Sequence, residues 1–322
     1  MHFGLLAEAR ELQAGVRDVL ASACPPDVVR QGWDQHPAAL WRTLGELGLI
    51  GLLVPEPDGL GLDDLVTVAA LQEAGYAGVP GPLVETVATA PLLAAAGVLP
   101  DGLLAGDVPV AVQRAEQTPY AARAAVVVQL QDGTARLLDD PKVEPLATVD
   151  ASRATARVVG TGARLDVDPD LVRRTEQRCV LGTAAFLTGL SRRMLDLTVG
   201  YVRDRQQFGV AIGSFQAVKH PLANALVGVE FAAPAVLRAA QSLVDDEPAA
   251  GLHVAMAKAL ASDAAWQVGR TTLQAHGAMG YTVEYDLHLF AKRAWALAAD
   301  WGSAADHRRT IATMLLDGER TT

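Results

Sequence analysis

The chain has 322 residues, of which 50% are hydrophobic and 20% charged, so it is long enough to bury a large core in two or three structural units. Its formal net charge of -10 and sequence pI of about 5.2 argue against nucleic-acid binding, because phosphate recognition needs clustered positive charge. The two cysteines, Cys24 and Cys179, form no CxxC motif, which predicts a reduced, cytoplasmic setting. Neither a signal peptide nor an apolar run of about 20 residues, the length of a membrane span, is expected.

The sequence of the first half of the chain, residues 1–168, predicts two structural units. Residues 1–100 are typical of helices joined by glycine- and proline-rich turns. Residues 101–168 contain β-rich runs, and Asp132-Gly133 between two of them predicts a hairpin. The stretch "ATARVVG" predicts a further strand. The first unit is therefore helical and the second is a small β unit.

The remaining segment, residues 169–322, predicts a bundle of long helices. Apolar residues recur at three- and four-residue steps over 180–197, as one buried helix face requires. A later helix contains Pro234, which should kink or interrupt it. Ser303 and Asp306 have the spacing of a capping box before the last helix. The predicted fold class is mainly α, with helices, a small β unit and then a helical bundle.

The stretch "DRQQFG", residues 204–209, ends the first long helix of this bundle. A guanidinium such as that of Arg205 suits diphosphate, because its planar donors match phosphate oxygens. The ring of Phe208 can pack on a base or sugar, and Gly209 allows close backbone approach. From spacing alone, the simpler interpretation is a solvated arginine at a helix end.

A second cluster of polar groups and glycines, "LQAHGAMGYTVEY", follows at residues 273–285. It contains Gln274, His276, Gly277 and Gly280 at a predicted helix C-terminus. Taken alone, it indicates a helix that stops at a glycine cap. No metal site is expected at His276, because the sequence places no second histidine at ligand spacing and no cysteine nearby.

Three stretches in this order resemble the acyl-CoA dehydrogenase family. They are "LGELGLIGLLVPEPDGLGL" in the N-terminal helical segment, then "RDRQQFGVAIGSFQAVKHPLA" and "QAHGAMGYTVEY". The resemblance covers nearly the whole chain and implies an N-terminal helical domain (1–100), a middle β domain (101–168) and a C-terminal four-helix bundle (169–322). It also implies FAD as cofactor, a CoA thioester as substrate and a tetrameric assembly.

In that family the two C-terminal motifs reach across an interface to the ADP half of a neighbouring subunit's FAD. By position, the resemblance assigns Arg205 to the pyrophosphate, and Gln207 and Phe208 to the adenosine side. The remaining cofactor contacts fall on Gln216, Gln274, His276 and Gly277. One departure is Ala278, which stands where the family has the second glycine of a pair.

The resemblance also shows what is missing. The family reaction removes an α-proton with a carboxylate base while a hydride passes from the β-carbon to the flavin. At the usual base position this chain has Trp301, whose indole cannot accept a proton. It would pack before the Ser303 cap or fill the space where a thioester would lie. Some relatives place the base near the position of Cys179, where Glu176 lies three residues away, and Asp300 is the nearest substitute for the usual base.

The β unit, 101–168, looks shorter than the family norm, contains no tryptophan and lacks a match to the motifs that hold the flavin ring. This combination resembles the smaller, base-lacking subunit of heterotetrameric acyl-CoA dehydrogenases from bacterial steroid side-chain degradation. The chain would then complete a partner subunit's FAD site, without binding nucleic acid or membrane. Two alternatives stay open: a self-sufficient homotetramer with a displaced base such as Asp300 or Glu176, and a scaffold without a flavin role.

Overall fold

Residues 7–318 are described by a computed structural model. The N-terminal segment forms five helices: α1 (Ala7–Ala23), α2 (Pro26–Gln31), α3 (Ala38–Glu46), α4 (Asp64–Ala77) and α5 (Leu83–Ala95). The side chain of Asp63 caps α4 by accepting the Val66 N–H at 2.9 Å. Gly78 ends this helix at φ 74°, a left-handed conformation that glycine adopts without strain.

The middle segment forms two small sheets. Its strands are β1 (Val110–Gln113), β2 (Gln117–Thr118), β3 (Val126–Gln131), β4 (Thr134–Leu138), β5 (Lys142–Pro145), β6 (Ala156–Val159) and β7 (Gly162–Arg164). The sheet orders are β1-β3-β4-β7, in which only β1 and β3 are parallel, and β2-β6-β5, which is antiparallel. The predicted hairpin is confirmed, since Asp132 and Gly133 join β3 to β4 with φ values of 50° and 69°. The "ATARVVG" strand is confirmed as β6.

The C-terminal segment forms five helices and a short hairpin. They are α6 (Pro169–Asp204), β8 (Gln206–Gln207), β9 (Val210–Ala211), α7 (Gln216–Val244), α8 (Ala250–His276), α9 (Leu287–Ala299) and α10 (Ala304–Gly318). The predicted interruption at Pro234 is absent, because α7 continues through this exposed proline, which removes a single N–H donor from a helix that packs against α8. The capping box is confirmed: the Ser303 N–H donates to Asp306 at 2.9 Å and the Asp306 N–H to Ser303 at 3.3 Å.

One apolar core runs from the N-terminal helices into the bundle, and a smaller cluster lies within the β segment. Glycines bring α4 and α6 together, since a Cβ at Gly75 would lie 2.2 Å from the Phe186 carbonyl oxygen. The buried carboxylate of Asp64 on α4 then accepts from Arg178 on α6 at 2.8 Å. These contacts confirm the predicted mainly α, acyl-CoA dehydrogenase-like fold class.

Among the helices described, α7 is the one long and apolar enough to match a membrane span by length and composition. Of its most apolar 18 residues, 33% are buried within this chain. Its outward face carries Val227 and Phe231, both exposed. The helix therefore has an apolar surface that the rest of the described chain leaves uncovered.

Candidate functional site

The structure brings both C-terminal motifs to one end of the bundle. Near the end of α6, the Tyr201 ring stacks on the His276 imidazole at the end of α8, with centroids 4.3 Å apart. The start of α7 lies beside the same end of α8, so that Ala217 and Gln274 line one groove. We call the exposed residues of this region the bundle-end surface: Arg205, Gln207, Phe208, Gln216, Gln274 and Gly277.

Phe208 occupies the tip of the β8–β9 hairpin. Strand pairing joins Gln207 to Val210, and the turn between them has φ values of 55° at Phe208 and 78° at Gly209. A left-handed backbone is unfavourable for a bulky side chain. The residue is 92% exposed, and its ring lies edge-to-face with that of Phe215, with centroids 6.3 Å apart. An exposed aromatic residue on a strained backbone is typical of a binding site.

Arg205 has a fixed backbone and an exposed side chain. Its N–H donates to the Tyr201 carbonyl at 2.9 Å, and its own carbonyl accepts the Ile212 N–H at 2.8 Å. Within residues 7–318, no ion pair includes this guanidinium. An exposed guanidinium on a fixed backbone, without a carboxylate partner among the described residues, suits an external phosphate.

The second motif divides into exposed and buried residues. Gln274 is exposed, and Gly277 has φ 57° and ψ -135°, a conformation that only glycine adopts readily, with open space where a Cβ would stand. His276 is only 3% exposed, and its Nδ1–H donates to the Thr272 carbonyl at 2.8 Å. Burial lowers the pKa of His276 and so favours the neutral ring. His276 therefore packs beneath Tyr201 in this chain, and its contact to the cofactor stays a prediction.

At the family's usual base position, Trp301 is held from several sides. Its indole N–H donates to Glu85 at 3.2 Å, and the guanidinium of Arg114 lies 5.0 Å from the centre of its ring. Its carbonyl accepts from His307 Nε2 at 2.9 Å. Its backbone is left-handed, with φ 56°. The indole is thus a fixed part of the structure at this position.

A buried lysine fixes the loop around Trp301. Lys258 is fully buried, and its ammonium donates to Ser262 Oγ at 3.0 Å and to the carbonyls of Ala298 at 3.2 Å and Gly302 at 3.0 Å. Burial lowers the pKa of Lys258 to about 8. The bonds to Ala298 and Gly302 hold the two ends of residues 298–302 to the same ammonium group and so stabilise this loop in its closed conformation.

The two substitute bases from the sequence differ in their contacts: Asp300 forms an ion pair, whereas Glu176 enters no ion pair among residues 7–318. Asp300 is partly buried beside Arg153; burial raises its pKa and the arginine opposes that shift. Glu176 is half-buried, and burial raises its pKa while the charge of Arg114 lowers it. Because Arg114 also lies over Trp301, the two family base positions meet in one region. A general base needs to reach the proton that it removes.

Sequence reasoning missed Glu85, whose carboxylate is the partner of the indole. The side chain is 5% exposed, and burial raises its pKa to about 7, although the Trp301 N–H opposes this shift. The available signal was a single carboxylate within the apolar run of residues 82–93. This burial encloses Glu85 and keeps it from an external substrate.

Sequence profiles match most of the chain. The profile of the acyl-CoA dehydrogenase N-terminal domain matches residues 7–98, and that of the C-terminal domain matches residues 178–316. The acyl-CoA dehydrogenase IpdE2 of Mycolicibacterium smegmatis is 31% identical in an alignment 321 positions long that covers 95% of this chain and 98% of that protein. The chain belongs to the acyl-CoA dehydrogenase family. This family and the structural neighbours are FAD-binding flavoproteins, which confirms the predicted cofactor.

The chain is also similar to a second curated acyl-CoA dehydrogenase and to two solved structures. FadE34 of Mycobacterium tuberculosis is 33% identical in an alignment 344 positions long that covers 97% of this chain and 48% of that protein, so the chain spans about half of this relative. The ChsE4-ChsE5 complex from Mycobacterium tuberculosis matches with a TM-score of 0.83 at 24% identity, over 98% of this chain and 99% of that chain. The Tcur3481-Tcur3483 steroid ACAD matches with a TM-score of 0.86 at 22% identity, over 97% and 99%. These two matches show the fold.

The residues of the bundle-end surface fit the ADP half of FAD. Arg205 provides a guanidinium for phosphate, and Phe208 provides a ring for adenosine. Gly277 leaves room for close backbone approach, and Gln274 provides an amide. All four residues are exposed, so a cofactor that is held mainly by another chain has access to them.

Proposed function

We propose that this chain is a subunit of a heteromeric FAD-dependent acyl-CoA dehydrogenase and completes the ADP half of the partner subunit's FAD site. The observation that carries the proposal is a contrast between two regions. The bundle-end surface is exposed and lacks ionic partners within the described chain, whereas the base position holds Trp301 in a closed loop. When bound, FAD supplies the hydride acceptor, and the partner subunit supplies the carboxylate base and the ring pocket.

Two structural neighbours support the heteromeric assignment. The ChsE4-ChsE5 structure is a complex, and the Tcur3481-Tcur3483 protein is described as a steroid ACAD. We extend the proposal to α,β-dehydrogenation of a CoA thioester with a steroid side chain, in a heterotetramer. A cytoplasmic location is in keeping with Cys24 and Cys179, which are both buried and unpaired to each other.

The proposal is tested by Arg205→Ala in the complex purified with its partner subunit. We expect the FAD dissociation constant to rise about tenfold or more, because charge-assisted bonds to phosphate are among the stronger polar contacts. Arg203→Ala is the matched control: it removes the same charge from an exposed arginine in the last turn of α6, two residues away on another face. Flavin absorbance during titration of the deflavo complex measures both variants.

Unchanged FAD affinity in Arg205→Ala would favour a scaffold without a flavin role. The isolated chain provides the second test. If it bound FAD stoichiometrically and oxidised an acyl-CoA without a partner, the self-sufficient homotetramer would be the correct function.

A further inference from the structure

A groove of about 850 Å³ opens between the start of α7 and the second half of α8. This volume lies in the range of small-molecule sites. Gln274 lines it, and Gln216 directly precedes Ala217 at its other wall, so the groove is continuous with the bundle-end surface. The lining of the groove combines the indole of Trp266, the guanidinium of Arg270 and the amides of Gln267 and Gln274. Most gaps between packed helices are lined by apolar side chains instead.

These groups form a stripe along α8. Trp266, Arg270 and Gln274 follow one another at four-residue steps, and all three line the groove. Trp266 is 48% exposed, and its ring stacks on Trp295 with centroids 5.6 Å apart. Gly269 makes room for that pair, since a Cβ there would lie 2.6 Å from Trp295 Nε1. The exposed indole is therefore held in a defined orientation.

Arg270 differs from the other charged groups of α8. Lys258 is bound by carbonyls, and Asp263 pairs with Arg308. In the part of the chain that the structure describes, Arg270 is exposed and enters no ion pair. A guanidinium beside a fixed aromatic ring and amides matches a nucleotide, whose phosphate, base face and base edges need these three groups.

We infer that Arg270 and Trp266 are further contacts to the adenosine monophosphate end of the shared FAD. This inference rests on the proposed function and extends its surface by two helical turns beyond Gln274. Trp266 packs against the adenine ring, and Arg270 donates to the phosphate next to the ribose. Neither residue lies within the two motifs, so neither was a candidate from the sequence.

The test compares FAD and FMN binding to the deflavo heteromeric complex. For Arg270→Ala we expect the FAD dissociation constant to rise about tenfold, with partial recovery in Arg270→Lys, because a charged hydrogen bond is lost and then replaced by a point charge. FMN lacks the adenosine monophosphate end, so its dissociation constant should stay unchanged. Trp266→Ala should weaken FAD about fivefold to a hundredfold, the range for stacked bases, and Trp266→Phe should weaken it less.

The control and the contrary outcomes separate this inference from the proposed function. Arg173→Ala removes an exposed charge at the opposite end of the bundle and should leave FAD binding unchanged. If Arg205→Ala loses FAD and Arg270→Ala does not, the groove inference is wrong and the proposed function stands. If neither changes, the proposed function fails. If Arg270→Ala weakens FMN equally, or weakens only subunit association, the residue acts through the protein and the inference is wrong.

Discussion

Residue 301 shows how a single side chain changes the chemistry of the family's base position. A carboxylate there accepts a proton, whereas the indole of Trp301 only donates one. In this chain the donor has an acceptor of its own, the enclosed carboxylate of Glu85 at 3.2 Å. Arg114 covers the outer face of the ring. Specific partners therefore hold Trp301 in place, so the base position is filled by a tightly packed side chain.

Glu85 gives a pH-dependent prediction. Its pKa is about 7 in the folded chain and 4.5 as an ordinary glutamate, so the folded state binds the proton more tightly. The resulting stabilisation is complete below about pH 4.5 and is lost as the pH rises to 7, by up to about 3 kcal/mol. Since glutamine is neutral throughout, Glu85→Gln should gain free energy of unfolding relative to wild type between pH 5 and pH 8. Urea denaturation at the two pH values measures this gain.

Glu144→Gln is the control for this experiment. Glu144 is exposed, and its neighbour Lys142 lowers its pKa, so its substitution should give no gain over the same interval. A difference between Glu85→Gln and wild type that did not change with pH would mean that the carboxylate of Glu85 does not take up a proton near neutrality.

At the scale of elements, the β8–β9 hairpin gives the clearest prediction. Phe208→Asn places a residue that tolerates left-handed backbone at the tip and removes an exposed ring. We expect the isolated chain to keep its stability or gain up to about 1 kcal/mol. In the complex, FAD affinity should fall, because the ring that we propose to pack on adenosine is gone. Urea unfolding and FAD titration measure the two effects.

If Phe208→Asn lowered the stability of the chain and left FAD affinity unchanged, Phe208 would stabilise the fold and would not contact FAD. The two measurements separate because Phe208 is 92% exposed and so contributes little packing within the described chain.

Local features were predictable from the sequence, because their parts are neighbours along the chain. The Asp132-Gly133 turn and the Ser303–Asp306 cap each need only a few adjacent residues. The pairing of Glu85 with Trp301 joins residues 216 positions apart, and burial is the main cause of that carboxylate's raised pKa. The same limit applies to His276, whose position in the motif did not reveal that the bundle buries it.

At the scale of the whole molecule, the outer surface of the bundle is built for contact. α7 exposes Val227 and Phe231, and α8 exposes Met256 and Leu260 at the same four-residue spacing. Exposed apolar faces of this kind mark interaction surfaces. The closed loop 298–302 lies elsewhere, beside the β segment, where Arg153 from that segment pairs with Asp300. The exposed apolar face and the Trp301 loop are therefore separate parts of one chain.

This separation predicts one FAD per two chains in the complex with the partner subunit. Under the proposed function, each FAD uses the bundle-end surface of this chain for its ADP half, and a ring pocket and base from the partner. The chain's own base position holds an indole in place of a carboxylate, and Glu85, His307 and Lys258 bind the Trp301 loop. The ratio is obtained by measuring the concentration of flavin released on denaturation and dividing it by the concentration of protein chains. Amino-acid analysis and the native mass of the complex give the number of chains. A value of one FAD per chain would show that this chain also holds a flavin ring, and would contradict the shared-site proposal.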